Sequence, residues 1–125
     1  MNMDILGFFQ DHMEALPLYE AFEENLLQTV ENVHIKVQKS QISFYNRHLF
    51  ACVSFLQVRK KKACPLRFLV ITLGLDHPLS SPRVDAATSP YPGRWTHHIL
   101  ISDMSEIDEE LISWVKEAAL FSDSK

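Results

Sequence analysis

LFACVSFLQVRKKKACPLRFLVITLGL, residues 49–75, decides how the chain is read. Two apolar runs, 49–58 and 67–75, flank a strongly basic, proline-containing insert. Each run is apolar at odd and at even positions, so neither face of such a strand suits water. Both runs are therefore expected to be central strands with cover on each side. The insert RKKKACP, 59–65, has the charge and the proline of a hairpin tip.

Working outward, the apolar period is two on the N-terminal side. Val33, Ile35 and Val37 alternate with His34, Lys36 and Gln38, and Ile42 and Phe44 alternate with Ser43 and Tyr45. Asn46-Arg47-His48 marks a turn. On the C-terminal side WTHHILI, 95–101, predicts a fifth strand. Residues 76–93 hold Pro78, Pro82, Pro90, Pro92 and Gly93, which predicts a long, partly rigid loop.

Helical periodicity occupies the two ends. Pro17 suits a helix start, and Tyr19, Phe22, Leu26 and Val30 then recur at steps of three and four. A separate short helical piece carries Ile5, Leu6, Phe8 and Phe9. Near the C-terminus Ile107, Leu111, Trp114, Val115, Ala118 and Phe121 form one apolar stripe. Ser105 is the expected N-cap of that helix, with Asp108 at its third position. The order predicts one two-layer α+β domain over residues 1–125. It has a mostly antiparallel sheet of about five strands, and the N- and C-terminal helices lie on one face.

The chain is 125 residues long, 46% hydrophobic and 22% charged, as expected of a globular domain. Its apolar runs fall far short of the about 18 residues that a membrane helix needs. The N-terminal stretch has no basic region and is broken by Asp4, Asp11 and Glu14, so it does not read as a secretory signal. The expectation is a cytoplasmic protein with no membrane partner, a monomer or weak homodimer. Cys52 and Cys64 are expected to be reduced, and their spacing does not suit a structural zinc site.

Charge is unevenly distributed. Residues 1–31 hold seven acids and no Lys or Arg. Residues 32–102 hold ten bases and two acids, and residues 103–125 hold seven acids and two bases. The formal net charge of −4 thus hides +8 in the sheet region. Such a region attracts anions: phosphates, carboxylates or a nucleic-acid backbone. Arg59-Lys60-Lys61-Lys62 is its densest run, with no interleaved aromatic to stack on bases. A solvated tip is the favoured reading for that run, ahead of a phosphate-gripping one.

On a strand, His97 and His98 point to opposite faces, so they do not share a metal. Trp95, His97, Ile99 and Ile101 make the face that packs on helices; Arg94, Thr96, His98 and Leu100 make the other. The candidate anion-binding residues are Lys39, Arg47, Arg83, Arg94, Thr96 and His98. A proline-held Arg83 beside Arg94 would form a bidentate anion clamp. Three glycines leave no phosphate-binding loop or dinucleotide fingerprint. Two acids in the sheet region argue against a two-metal or carboxylate-pair hydrolase, and no G-x-S-x-G is present. No cofactor and no metal is expected. The leading reading is a non-catalytic binding module for an anionic ligand or nucleic acid. The alternatives are an enzyme using His98 as general acid or base beside Arg94, and a protein-interaction subunit.

KSQISFYNRHLFACVSF (39–55), SPRV (81–84), GRWTHHILI (93–101) and EIDEELISWVKEA (106–118) together resemble a family of small bacterial domains of unknown function, DUF5655. The likeness runs from about residue 30 to the end. It implies a helix–sheet–helix domain similar to the frataxin-like and MmcQ/YjbR-like folds. It implies no reaction, cofactor or catalytic residue. Lys39, Arg47, Arg83, Arg94 and His98 match its polar pattern without bringing roles.

Overall fold

The computed structural model describes residues 3–125; Met1 and Asn2, included in the expected N-terminal helical piece, lie outside the described residues. Helix α1 (Met3–Phe8) and a 3-10 turn (Met13–Ala15) precede α2 (Leu16–Thr29), in which Pro17 occupies the first turn as expected. Six strands follow: β1 (His34–Val37), β2 (Gln41–Tyr45), β3 (Leu49–Ser54), β4 (Leu69–Leu75), β5 (Ala86–Tyr91) and β6 (Arg94–Ile101). Helix α3 (Glu109–Ser124) closes the chain. The sheet is antiparallel throughout, in the order β1-β2-β3-β4-β6-β5. Among the described residues no helix is long and apolar enough to cross a membrane.

The domain is α+β, as the residue pattern predicts, but with one strand more. β5, AATSPY, lies inside the stretch expected to be loop. It pairs only with β6 and is exposed along most of its length. An edge strand has no buried face, so its residues need no apolar alternation, and its Pro90 is tolerated there. Pro92 and Gly93 join it to β6, and Gly93 takes the left-handed φ of 79° that such a tight turn needs.

Three further expectations shift. β3 ends at Ser54 rather than 58, because Phe55 leaves the sheet for an aromatic group with Phe8, Phe9, His12 and Phe68. The basic insert is not a tight hairpin tip: residues 55–68 form a longer connection containing a 3-10 turn, Lys61–Ala63. Ser105 is not the cap of the last helix. Asp103 and Glu106 form a capping box on a 3-10 turn, Met104–Glu106, and Asp108 then caps α3 by accepting the Leu111 N–H at 3.0 Å.

One sheet face carries the core. Ile42, Phe44, Val53, Ile71, Leu73, Ile99 and Ile101 pack with Leu18, Tyr19, Phe22 and Leu26 of α2 and with Leu111, Val115 and Ala118 of α3. Ile5 and Phe9 of α1 join this core, whereas Phe8, partly buried against it, stacks on Phe55 and also lines a hollow with His98 of the other face. The helices are thus mainly, not wholly, on one face. Ser122, buried on α3, accepts the His48 N–H at 3.0 Å, and Asn46 donates to the Ala119 carbonyl at 2.8 Å. These bonds fix the β2–β3 turn to the helix C-terminus.

Arg83 performs the same service at the helix N-terminus. Its Nη1 lies 2.9 Å from Asp108 Oδ1 and 3.0 Å from Glu110 Oε1. Nη2 donates to the Glu106 carbonyl at 2.6 Å, and the guanidinium sits 5.7 Å from the Trp114 ring centre. Replacing Arg83 by Lys or Ala is expected to cost about 1–2 kcal/mol in urea unfolding, with Lys recovering little, because an ammonium cannot span these acceptors.

His97 faces the core and is fully buried. Its Nε2 accepts the Leu79 N–H at 3.0 Å, which puts the ring hydrogen on Nδ1, where it faces the Leu73 backbone without completing a hydrogen bond. Burial lowers its pKa from the ordinary 6.5, and the neighbouring His77 and His98 add to the effect. The fold therefore prefers neutral His97. That contribution is complete above the unfolded value and is lost as pH falls below about 6.5. His77 has the opposite sign: Glu117 and the Pro78 carbonyl raise its pKa, but it is largely exposed and counts for little. Unfolding free energy is expected to drop between about pH 7.5 and pH 5.5, and H97Q is expected to reduce that drop, leaving the part due to His98, whose pKa burial also lowers. An equal drop in H97Q would assign it elsewhere.

Candidate functional site

The register of the four central strands builds a polar row on the face turned away from α2 and α3. Ser43 lies opposite Cys52, Cys52 opposite Thr72, and Thr72 opposite His98. Thr72 Oγ1 is 2.9 Å from His98 Nδ1, and Cys52 is the neighbour of Thr72 across β3 and β4. Ser43 Oγ is held by Gln38 and Gln41, at 2.7 Å and 2.8 Å. Burial raises the Cys52 pKa and lowers that of His98, so the thiol is kept protonated and the imidazole neutral.

Two hollows open on this row. The larger, about 550 Å³, has Cys52, Ser54, Thr72 and His98 in its floor. Its walls come from the turn Lys39–Gln41, from Phe55 and Leu56, and from the end of α1 with Phe8, Asp11 and His12. The His12 ring stacks on Phe55 at 4.0 Å between centres, and Phe8 stacks on Phe55 at 5.6 Å. The smaller hollow, about 210 Å³, is bounded by Phe50, Tyr91, Arg94, Thr96, Phe121 and Lys125 among others, with no Asp or Glu in its lining. Cys52 and Thr72 line both, so the hollows meet at that pair.

The sequence-predicted residues divide. Lys39 and His98 line the larger hollow, Arg94 and Thr96 the smaller. Arg47 is exposed in the β2–β3 turn and lines neither. Arg83 is on the helix side, engaged by Asp108 and Glu110, so the expected clamp with Arg94 does not form. The basic run is also partly consumed. Arg59 pairs with Asp85 at 2.6 Å, and Asp85 accepts the Leu100 N–H at 2.8 Å, while Lys60, Lys61 and Lys62 are exposed.

Arg94 differs from Arg59 and Arg83. It has no carboxylate partner among the described residues and lies over two rings, 5.4 Å from Tyr91 and 5.3 Å from Phe121. Lys125 lies over Phe121 as well, at 4.6 Å, and its pKa is lowered by burial and then by Arg94. Two cations thus share one aromatic support. Among the described residues the ring partner of His98 is a hydroxyl, not a carboxylate. Among the described residues no group of three or more His, Cys, Asp or Glu is arranged to hold a metal ion.

Sequence reading missed Cys52 and Thr72. Both sit in strands that are apolar on either face, where a thiol and a hydroxyl pass as filler. Only the cross-strand register aligns them with His98. Phe8, His12 and Phe55 were missed because they reach the hollow from outside the sheet.

No curated protein and no solved structure matches the chain. The family model for a domain of unknown function, DUF5655, matches residues 7–122. The match spans nearly the whole domain, and the chain therefore belongs to the DUF5655 family.

Proposed function

We propose that this domain is a non-catalytic binding module for a small organic anion, taken up on the sheet face that α2 and α3 leave open. Arg94 is the anchoring cation, supported by Lys125, with Thr96 as a neutral hydrogen-bonding group beside it. Lys39 and His98 serve the adjoining larger hollow. Arg47 and Arg83 have no part in the site.

The observation that carries this reading is the unpaired, half-buried Arg94 in a hollow whose lining includes no acidic side chain. A guanidinium packed on rings and close to a second cation has lost water without gaining a carboxylate, and an incoming anion restores what is missing. A phosphate or carboxylate accepts two of its N–H groups in a fork. The basic excess of residues 32–102 favours approach of the same ligands. A nucleic-acid strand fits less well, because the free lysines 60–62 lie outside both hollows.

The test is the thermal midpoint at low salt with inorganic phosphate, citrate, mononucleotides and short single-stranded DNA. At about ten times its Kd a bound anion is expected to raise the midpoint by about 4 °C, and R94Q to abolish the rise. The absence of any rise across all four probes would overturn the reading.

A further inference from the structure

We propose that the larger hollow is a subsite for a flat, uncharged ring bearing a hydrogen-bond acceptor, such as the carbonyl of a pyrimidine base, read by His98 Nε2–H and set by Thr72. This rests on the open face being the ligand-binding face, and it names the part of the ligand that the anion site does not hold.

The tautomer of His98 turns on one hydroxyl hydrogen. Thr72 Oγ1 lies 2.9 Å from His98 Nδ1. A bare imidazole nitrogen is a stronger acceptor than a hydroxyl oxygen, and a hydroxyl is free to rotate its hydrogen toward it. The favourable direction therefore runs from the hydroxyl to Nδ1. Nδ1 then accepts, so the ring hydrogen must sit on Nε2. Among the described residues Nε2 has no hydrogen-bond partner, although the residue lines the hollow.

The donor so fixed is a neutral one, since burial holds His98 below its ordinary pKa. A neutral donor in a half-buried setting matches a neutral acceptor. Asp11 stands in the same lining as Lys39, which disfavours a bare anion there. The rings of Phe8, His12 and Phe55 and the side chain of Leu56 form an apolar wall suited to a flat ring. The volume, about 550 Å³, falls in the range of small-molecule sites. The charge and the ring are thus sorted between two hollows that touch at Cys52 and Thr72.

The test is NMR of the histidine and arginine side-chain nitrogens on the intact chain, titrated with uracil, toluene and inorganic phosphate. The free protein is expected to show His98 as the Nε2–H tautomer. Uracil is expected to move His98 Nε2 and the Phe55 ring signals; toluene is expected to leave His98 Nε2 in place. Phosphate is expected to move Arg94 Nε and not His98. T72V, which keeps the shape of the side chain, is expected to mix the tautomers and weaken uracil about tenfold. H98Q retains an N–H donor and is expected to keep part of the affinity that H98L loses. A wild-type Nδ1–H tautomer, or a His98 unmoved by uracil, overturns the proposal. A uracil response with Arg94 silent to phosphate would overturn the anion reading and leave this one standing.

Discussion

The antiparallel register between β4 and β6, from Leu69 opposite Ile101 to Leu75 opposite Trp95, is the constraint on which both faces of the sheet depend. Side chains alternate along each strand, so a slip of one residue would carry Ile99 and Ile101 out of the core and bring His98 in. The core prevents that slip, because Ile71, Leu73, Ile99 and Ile101 are buried together against α2 and α3. The same register sets Thr72 against His98 on the opposite face. Hydrophobic burial on one side thereby positions the polar row on the other.

Charge is sorted by a second constraint, the satisfaction of chain ends. The first turn of a helix has N–H groups that need acceptors, which places Asp108 at the start of α3. Once there, Asp108 and Glu110 engage Arg83 and fasten the long connection before β5. Near the edge strand, Asp85 accepts the Leu100 N–H and engages Arg59. Two of the arginines that give the sheet region its positive sign are thus spent on carboxylates. Arg94 is not, and it is the residue around which an anion site can be argued.

Much of the fold was legible in the residues. The change of period near Val33, the two runs flanking RKKKACP and the stripe from Ile107 to Phe121 specify helices, sheet and helix in that order, because apolar spacing reports burial directly. What was illegible lay where burial is absent. β5 is exposed, so no alternation marks it. The cap at Asp108 was displaced from the expected Ser105 because Asp103 and Glu106 first close a turn of their own. Of the site, the opposed faces of His97 and His98 could be read from strand parity alone. The partnership of His98 with Thr72, and the fate of Arg83, could not.

The sequence by itself determined the α+β class, the antiparallel central strands, the assignment of His97 to the core and of His98 to the other face, and the basic character of the sheet region. These follow from local periodicity and composition, which act over a few residues. The tertiary structure alone decided which charges remain unpaired, which strand forms the second edge, and that Cys52, Thr72 and His98 lie in one line. Those are matters of which distant residues meet. Such meetings are fixed by register, by capping and by the packing of Phe8, His12 and Phe55 at the end of the sheet, and no short-range pattern encodes them.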